Sequence, residues 1–332
     1  MPRASRLVER SIVILTAITA CRRDDPPPAP APVPVPVPAP VPAPVPPPVP
    51  VPVPPPAPPP PLAHRCALDG NPIVGGCSGG GTGIAIDRSN TIYLTVGAIV
   101  LRYTRAPGAG CTLTRAGERI QLPADIKRPQ RLDAGPIYMR SGGVAWHLVS
   151  TGDATYAYDF LAGLYRIDRG KAEPACTDVF GYESLAAHGG KLLVNRDGIE
   201  ELVLGPRCTA RKIRDGRGRL YSARDELYLA SPAFELSRVR GRELEPLDVK
   251  PCSVNAIVAC GEGACVVDGN CGRINSLANA RTFDFGALFD ARPYMLPDAT
   301  TARDGTVYAI ARHRIREKCE TAVYAIPPDV FR

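Results

Sequence analysis

Six times between residues 83 and 311 the chain repeats one plan: an apolar alternating run, a short polar or glycine turn, and a second run. The units read "GIAIDRSNTIYLT", "IYMRSGGVAWHLV", "SLAAHGGKLLVN", "RLYSARDELYLA", "SVNAIVACGEGACVVD" and "DATTARDGTVYAIA". Alternation with a period of two sends one strand face inward, and Asn, Gly and Asp-Gly supply the positive φ that tight hairpins need. The turns centre near Asn90, Gly143, Gly190, Asp225, Glu262 and Gly305, at spacings of 53, 47, 35, 37 and 43 residues. Long amphipathic helical patterns do not occur.

After each hairpin comes a third short run, such as "VLRY" ending at Tyr103 or "AVYAI" ending at Ile326. In three units a loop then leads to a Cys-Thr pair: Cys111-Thr112, Cys176-Thr177 and Cys208-Thr209. A fourth strand beginning at the cysteine fits each of them. Four strands in about 43 residues is the period of a propeller blade. The expected fold is therefore all-β, a ring of six four-stranded blades over residues 62–332. A seventh blade would have to hide in the 53-residue gap, and a two-sheet sandwich fits six similar units poorly.

The first and last units carry a resemblance. "GIAIDRSNTIYLT…VLRY" and "ATTARDGTVYAIA" resemble blades of the NHL and SMP-30/gluconolactonase-like six-bladed propellers. There, a run of the type GIAVD-x-x-GNIYVAD precedes a strand carrying R-[IV]. The likeness covers most of residues 78–328 and is loose in the middle units. It implies a ring closed by pairing strands from the two termini. Whether the stretch from Cys66 to Ile73 does so here stays open.

Residues 26–61 obey a different rule. Of these 36 residues 23 are proline, with valine and alanine between. Proline fixes φ and has no N–H, so neither helix nor sheet can form there. Polyproline II remains, at about 3.1 Å per residue, for a reach on the order of 110 Å. The tract reads as a semi-rigid stalk. An SH3-like ligand would want an arginine-flanked PxxP, which it lacks.

Ahead of it, "MPRASRLVER" carries three arginines and "SIVILTAITA" runs ten residues without charge. A basic head, a short apolar run and small residues before a cut make a secretory signal. Ten helical residues rise only about 15 Å, half of a ~30 Å hydrocarbon core, so a permanent span is not expected. Ile18-Thr19-Ala20-Cys21 resembles the lipobox of bacterial lipoproteins. The resemblance implies a signal peptide over 1–20, a diacylglycerol on the Cys21 thiol, cleavage before it, and a lipidated N-terminus over 21–25. Several acyl chains hold a protein on a bilayer far more firmly than one. Arg22 follows the cysteine where aspartate would retain an enteric lipoprotein in the inner membrane, so outer-membrane placement is favoured.

Eleven cysteines are an odd number until Cys21 is set aside. The remaining ten are Cys66, Cys77, Cys111, Cys176, Cys208, Cys252, Cys260, Cys265, Cys271 and Cys319. In an exported domain an even count points to five disulfides. A local Cys66–Cys77 loop is one expected link, and Cys260, Cys265 and Cys271 can hold at most one pair among themselves. No CxxC occurs, which argues against a zinc ribbon or a redox pair.

Nothing in the chain concentrates acid, base and nucleophile. The propeller resemblance implies a divalent cation, calcium or magnesium, held at the hub by one Glu, one Asn and one or two Asp from different blades. Asp87, Asn195, Asp197, Asn255, Asp268 and Asp304 could supply ligands, and each reads equally as a turn residue. His64, His147, His188 and His313 could supply a base of the kind a virginiamycin-lyase-like propeller would use. "GGCSGGGTG", residues 75–83, would need a following helix and lysine to cradle phosphate; a strand follows, so it reads as a flexible lead into the first blade. "YDF" and "FDFGALFD" place aromatics in inter-blade loops, as packing or as a groove lining. "ARKIRDGRGR", residues 210–219, reads as a solvated loop rather than a polyanion site.

The folded part carries 35 basic and 30 acidic residues, a mild excess without a basic stripe, and nucleic acid is not expected as a partner. The leading expectation is a membrane-anchored lipoprotein with no cofactor, whose non-catalytic propeller binds an envelope protein or glycan. A metal-dependent lactonase or lyase and a purely structural spacer are the alternatives.

Overall fold

The computed structural model describes residues 64–69, 73–76, 82–106, 110–123, 147–159, 162–168, 170–176, 184–205, 208–279, 281–288, 293, 295–315 and 318–331. All lie in one compact unit, Ala57–Arg332. The expected signal, lipobox and proline tract, Cys77 and the expected turn at Gly143 fall outside the described residues.

Six antiparallel sheets form the ring. The first blade is Ile84–Ile86, Ile92–Val96, Ile99–Arg105 and Thr112–Arg115; the second is His147–Ser150, Thr155–Asp159, Gly163–Asp168 and Lys171–Cys176. Ser184–His188, Lys191–Asn195, Gly198–Val203 and Thr209–Asp215 make the third, and Arg219–Ala223, Glu226–Ala230, Leu236–Arg240 and Glu243–Pro246 the fourth. The fifth is Ala256–Cys260, Gly263–Asp268, Arg273–Ser276 and Thr282–Asp284. The sixth has Met295–Thr301, Val307–Ile315 and Lys318–Ile326. The first strand of each blade lies innermost, and these six flank one another in sequence until the sixth meets the first.

Strand alternation builds six cores, one in each seam between neighbouring blades. Ile84 packs into the seam with the sixth blade and Ala85 into the seam with the second. Leu185 and Ala186 divide in the same way between the second and fourth blades. Fully buried side chains such as Leu94 and Val100, each worth about 1.5–3 kcal/mol of apolar transfer, therefore hold blade to blade. Phe283 and Phe285 belong to the seam between the fifth and sixth blades, with Tyr324 and Phe331, and Tyr158 to the seam between the second and third. The aromatics of "FDF" and Tyr158 are packing residues and line no groove.

The hairpins form where the alternation placed five of their six turns. Gly189 and Gly190, both at positive φ (57° and 75°), make the two-residue link that pairs His188 with Lys191. The second blade departs from expectation: its inner hairpin turns at residues 151–154, between His147–Ser150 and Thr155–Asp159, ten residues beyond the expected turn. There the alternation of "IYMRSGGVAWHLV" competes with a second turn signal, Thr151-Gly152-Asp153, whose Gly152 sits at φ 92°.

Ring closure uses one N-terminal segment twice. His64–Arg65 and Ile73–Gly76 pair end to end along the outer edge of Lys318–Ile326, with the Cys66 N–H donating to the Val323 carbonyl at 2.8 Å between them. Between the two, Ala67–Leu68 crosses to the first blade and pairs in parallel with Thr112–Arg115. The terminal pairing that the resemblance implied is thus present. Gly75 and Gly76 are part of the closing strand rather than of a flexible lead.

Disulfides join Cys66–Cys111, Cys176–Cys208, Cys252–Cys271 and Cys260–Cys265. Cys319 is also disulfide-bonded, to a partner outside the described residues. Cys66 therefore does not close a local loop with Cys77. The crossing of Ala67–Leu68 carries it to the first blade, where it meets Cys111. Cys176 ends the fourth strand of its blade instead of starting one, because the strand begins at Lys171 and runs into it. The bond to Cys208 then links the second blade to the third.

Candidate binding surface at the hub of the ring

Inner strands expose one backbone edge toward the neighbouring blade, and its polar groups need partners. Here side chains supply them. Ser184 Oγ accepts from the Leu220 N–H at 2.8 Å, and His188 Nδ1 meets Ser222 Oγ at 3.3 Å, tying the third blade to the fourth. Tyr221 donates its hydroxyl to the Val254 carbonyl at 2.7 Å, tying the fourth to the fifth. Thr301 Oγ1 donates to the Ala259 carbonyl at 2.6 Å, tying the sixth to the fifth. Asp298 Oδ2 accepts from the Ile84 N–H at 2.9 Å, tying the sixth to the first.

Asp298 stands apart from the other pins. It lies in the middle of an inner strand and is half-buried. Its two backbone donors, Ile84 N–H and Ala299 N–H (2.9 Å), do not repay the lost hydration, and burial pushes the carboxyl up to about 7. Across the ring, burial raises the Tyr221 phenol to about 12; the Arg219 charge opposes the rise and the Asp298 charge adds to it. No motif marks Asp298. The only trace is an acid following Pro297 in a run that otherwise reads as strand.

At the starts of the inner strands, the ends of the second strands contribute buried polar residues: Thr95, Asp159, Asn195, Asp268 and Arg312. Thr95 Oγ1 accepts from the Gly83 N–H at 2.6 Å. Asn195 Nδ2 donates to the Gly216 carbonyl at 2.9 Å, while its Oδ1 has no hydrogen-bond partner among the described residues. Asp268 takes the N–H groups of Cys252 (2.9 Å) and Ser253 (3.0 Å). Arg312 Nη2 donates to Thr82 Oγ1 at 2.5 Å, and burial lowers the pKa of its guanidinium.

The six acids and amides considered as cation ligands divide between the two mouths of the ring. Asp87 and Asp304 sit in hairpin turns at one mouth, where Asp87 Oδ1 accepts from the Ser89 and Thr91 N–H groups (2.8 and 2.9 Å) and Asp304 Oδ1 from the Thr306 N–H (2.9 Å). Asn195, Asp197, Asn255 and Asp268 lie at the strand-start mouth, a five-residue strand of roughly 17 Å away. Asp197 is exposed and paired with Arg217 at 2.9 Å. Asn255 is half-buried, its side chain packed against Gly269. The one cluster of acid and sulfur within metal-bonding reach among the described residues is Cys252, Asp268 and Cys271, and its two sulfurs are bonded to each other. Asp298 and Asp268 are thus already engaged by backbone donors, and Arg312 is buried against Thr82.

The histidines also scatter. His64 is in the closing strand, His147 starts the second inner strand, His188 pins a seam, and His313 Nε2 meets the Tyr324 hydroxyl at 2.8 Å, its pKa lowered by burial. "ARKIRD" of the expected basic loop belongs to the outer strand of the third blade, only residues 216–218 link to the fourth, and Arg219 begins the fourth blade's inner strand.

No protein-family model and no curated protein matches the chain. Among solved structures it is similar to the calcium-binding protein regucalcin of Agrobacterium tumefaciens. The identity is 14%, over 80% of this chain and 93% of that one, with a TM-score of 0.48. A gluconolactonase of Xanthomonas campestris is 12% identical over 81% and 99%, with a TM-score of 0.46. BamB of Moraxella catarrhalis is 11% identical over 74% and 82%, with a TM-score of 0.37. Identities of this size carry no residue's role across.

Proposed function

We propose that the chain is an exported lipoprotein that is cut before Cys21, acylated there, and displays its propeller on the proline stalk as a binding module. Its ligand is a protein or glycan of the cell envelope. The observation that carries this reading is the use made of the hub: its polar side chains pin blade to blade. Rigid rings that spend their polar groups on their own seams offer loops and edges for recognition. The disulfides support an oxidising compartment. Arg22 after the acylated cysteine favours the outer membrane over the inner.

Affinity capture of the crosslinked, intact lipoprotein from its own envelope tests the reading. A reproducible partner supports it, and repeated recovery of none overturns it. The anchor is tested separately by Cys21→Ser, expected to abolish membrane retention. A lactonase-like enzyme is the second reading, favoured by the enclosed Asp298 carboxyl and the unpartnered Asn195 Oδ1. It requires millimolar calcium or magnesium to raise the melting temperature of the purified protein; no shift sinks it.

A further inference from the structure

The outermost strand of a blade leaves one row of N–H and C=O groups without a partner, and folded proteins usually blunt such edges. Five blades here do so. The first blade's Thr112–Arg115 is covered by Ala67–Leu68. The sixth is finished by two short pieces, His64–Arg65 and Ile73–Gly76. The outer strands of the second and fourth carry Pro174 and Pro246, which have no N–H to offer. The fifth ends in three residues, Thr282–Asp284. The third blade alone ends in a seven-residue, proline-free strand, Thr209–Asp215, paired on one side only among the described residues.

That strand is also held ready. Cys208, immediately before it, is bonded to Cys176 of the second blade. Near its other end Arg214 Nη1 donates to the Glu243 carbonyl of the fourth blade at 2.8 Å. Of the four large apolar side chains most exposed among the described residues, three belong to this blade: Val203 (47%), Leu204 (39%) and Ile213 (47%). The edge strand itself holds three basic side chains, Arg211, Lys212 and Arg214, against one acid, Asp215. The local acids are shared: Glu201 accepts both Lys191 (3.0 Å) and Arg211 (2.8 Å), and Asp215 takes Lys212 (2.5 Å).

From these features we infer that the outer edge of the third blade binds an extended acidic peptide segment of a partner protein by strand addition. Main-chain hydrogen bonds supply affinity, and alternate side chains meet the basic row and the exposed apolar trio. A strand already fixed at both ends loses little entropy on binding. A second copy of this edge would set like charges against each other. The chain's own proline tract, with 23 of 36 residues lacking an N–H, cannot pair along it.

This inference rests on the binding-module reading and fails separately from it. The test uses the full-length protein and a capped eight-residue peptide alternating Glu and Val. Binding is expected, with slowed amide exchange in residues 209–215. Methylating alternate peptide backbone nitrogens, which leaves the protein untouched, is expected to weaken binding at least tenfold. Arg211→Glu with Lys212→Glu is expected to do the same. Absence of binding, equal binding of the methylated peptide, or protection mapped to another blade overturns the inference. None of these results touches the outcome of envelope capture.

Discussion

Removing the Cys66–Cys111 bond, as Cys66→Ala with Cys111→Ala, tests whether the ring is held shut at one seam. The two cysteines are 45 residues apart, and the loop between them contains the first three strands of the first blade. On chain-entropy grounds, closing such a loop is worth roughly 4 kcal/mol, against roughly 2 kcal/mol for the five-residue separation of Cys260–Cys265. The crossing segment has little else to hold it, since Ala67–Leu68 and His64–Arg65 are two residues each. With a urea m-value of about 3 kcal/mol per molar, the first pair should lower the unfolding midpoint by roughly 1.3 M and the second by about half as much. Urea unfolding followed by circular dichroism, with hydrogen exchange at residues 64–68, reads both effects. If the Cys66/Cys111 variant loses no more than the Cys260/Cys265 variant, the N-terminal segment is not what closes the ring.

The remaining predictions concern the hub and the turns. Asp298 binds its proton more tightly folded than unfolded, so its contribution to stability is complete below about pH 4. It is lost as pH rises to about 7; Asp298→Asn should flatten the stability-against-pH curve in that window, and an unchanged slope would refute the enclosed carboxyl. Tyr221→Phe leaves the Val254 carbonyl without its donor and should cost about 1–2 kcal/mol in chemical denaturation. Gly218 sits at φ 140°, and a Cβ there would collide with the Ala230 carbonyl, whereas Gly190 (φ 75°) faces open space. Gly218→Ala should therefore cost about 2–4 kcal/mol and Gly190→Ala about 1 kcal/mol, and a reversed order would refute the placement of the third-to-fourth blade link.

Five inner hairpins were legible as alternation plus turn chemistry, because strand period and positive-φ residues act over a few neighbouring residues. The second blade was not, since residues 137–154 offer two competing turns and only packing chooses between them. The sequence left open whether Cys260, Cys265 and Cys271 held one pair among themselves, and the structure pairs Cys260 with Cys265 across one turn. Cys66–Cys111 was not readable, because it depends on where Ala67–Leu68 crosses. The same divide runs through the hub. Asp87 and Asp304 announced themselves as turn formers and are turn formers. Asp298 gave no local sign, because its burial comes from the first and sixth blades meeting there. By itself, the sequence determined strand content, repeat number and the supply of cysteines, all properties of short segments. The tertiary structure alone decided which seam each cysteine locks, which carboxyl loses its water, and which blade keeps an open edge. Those depend on contacts between residues far apart in the chain, and only ring closure brings them together.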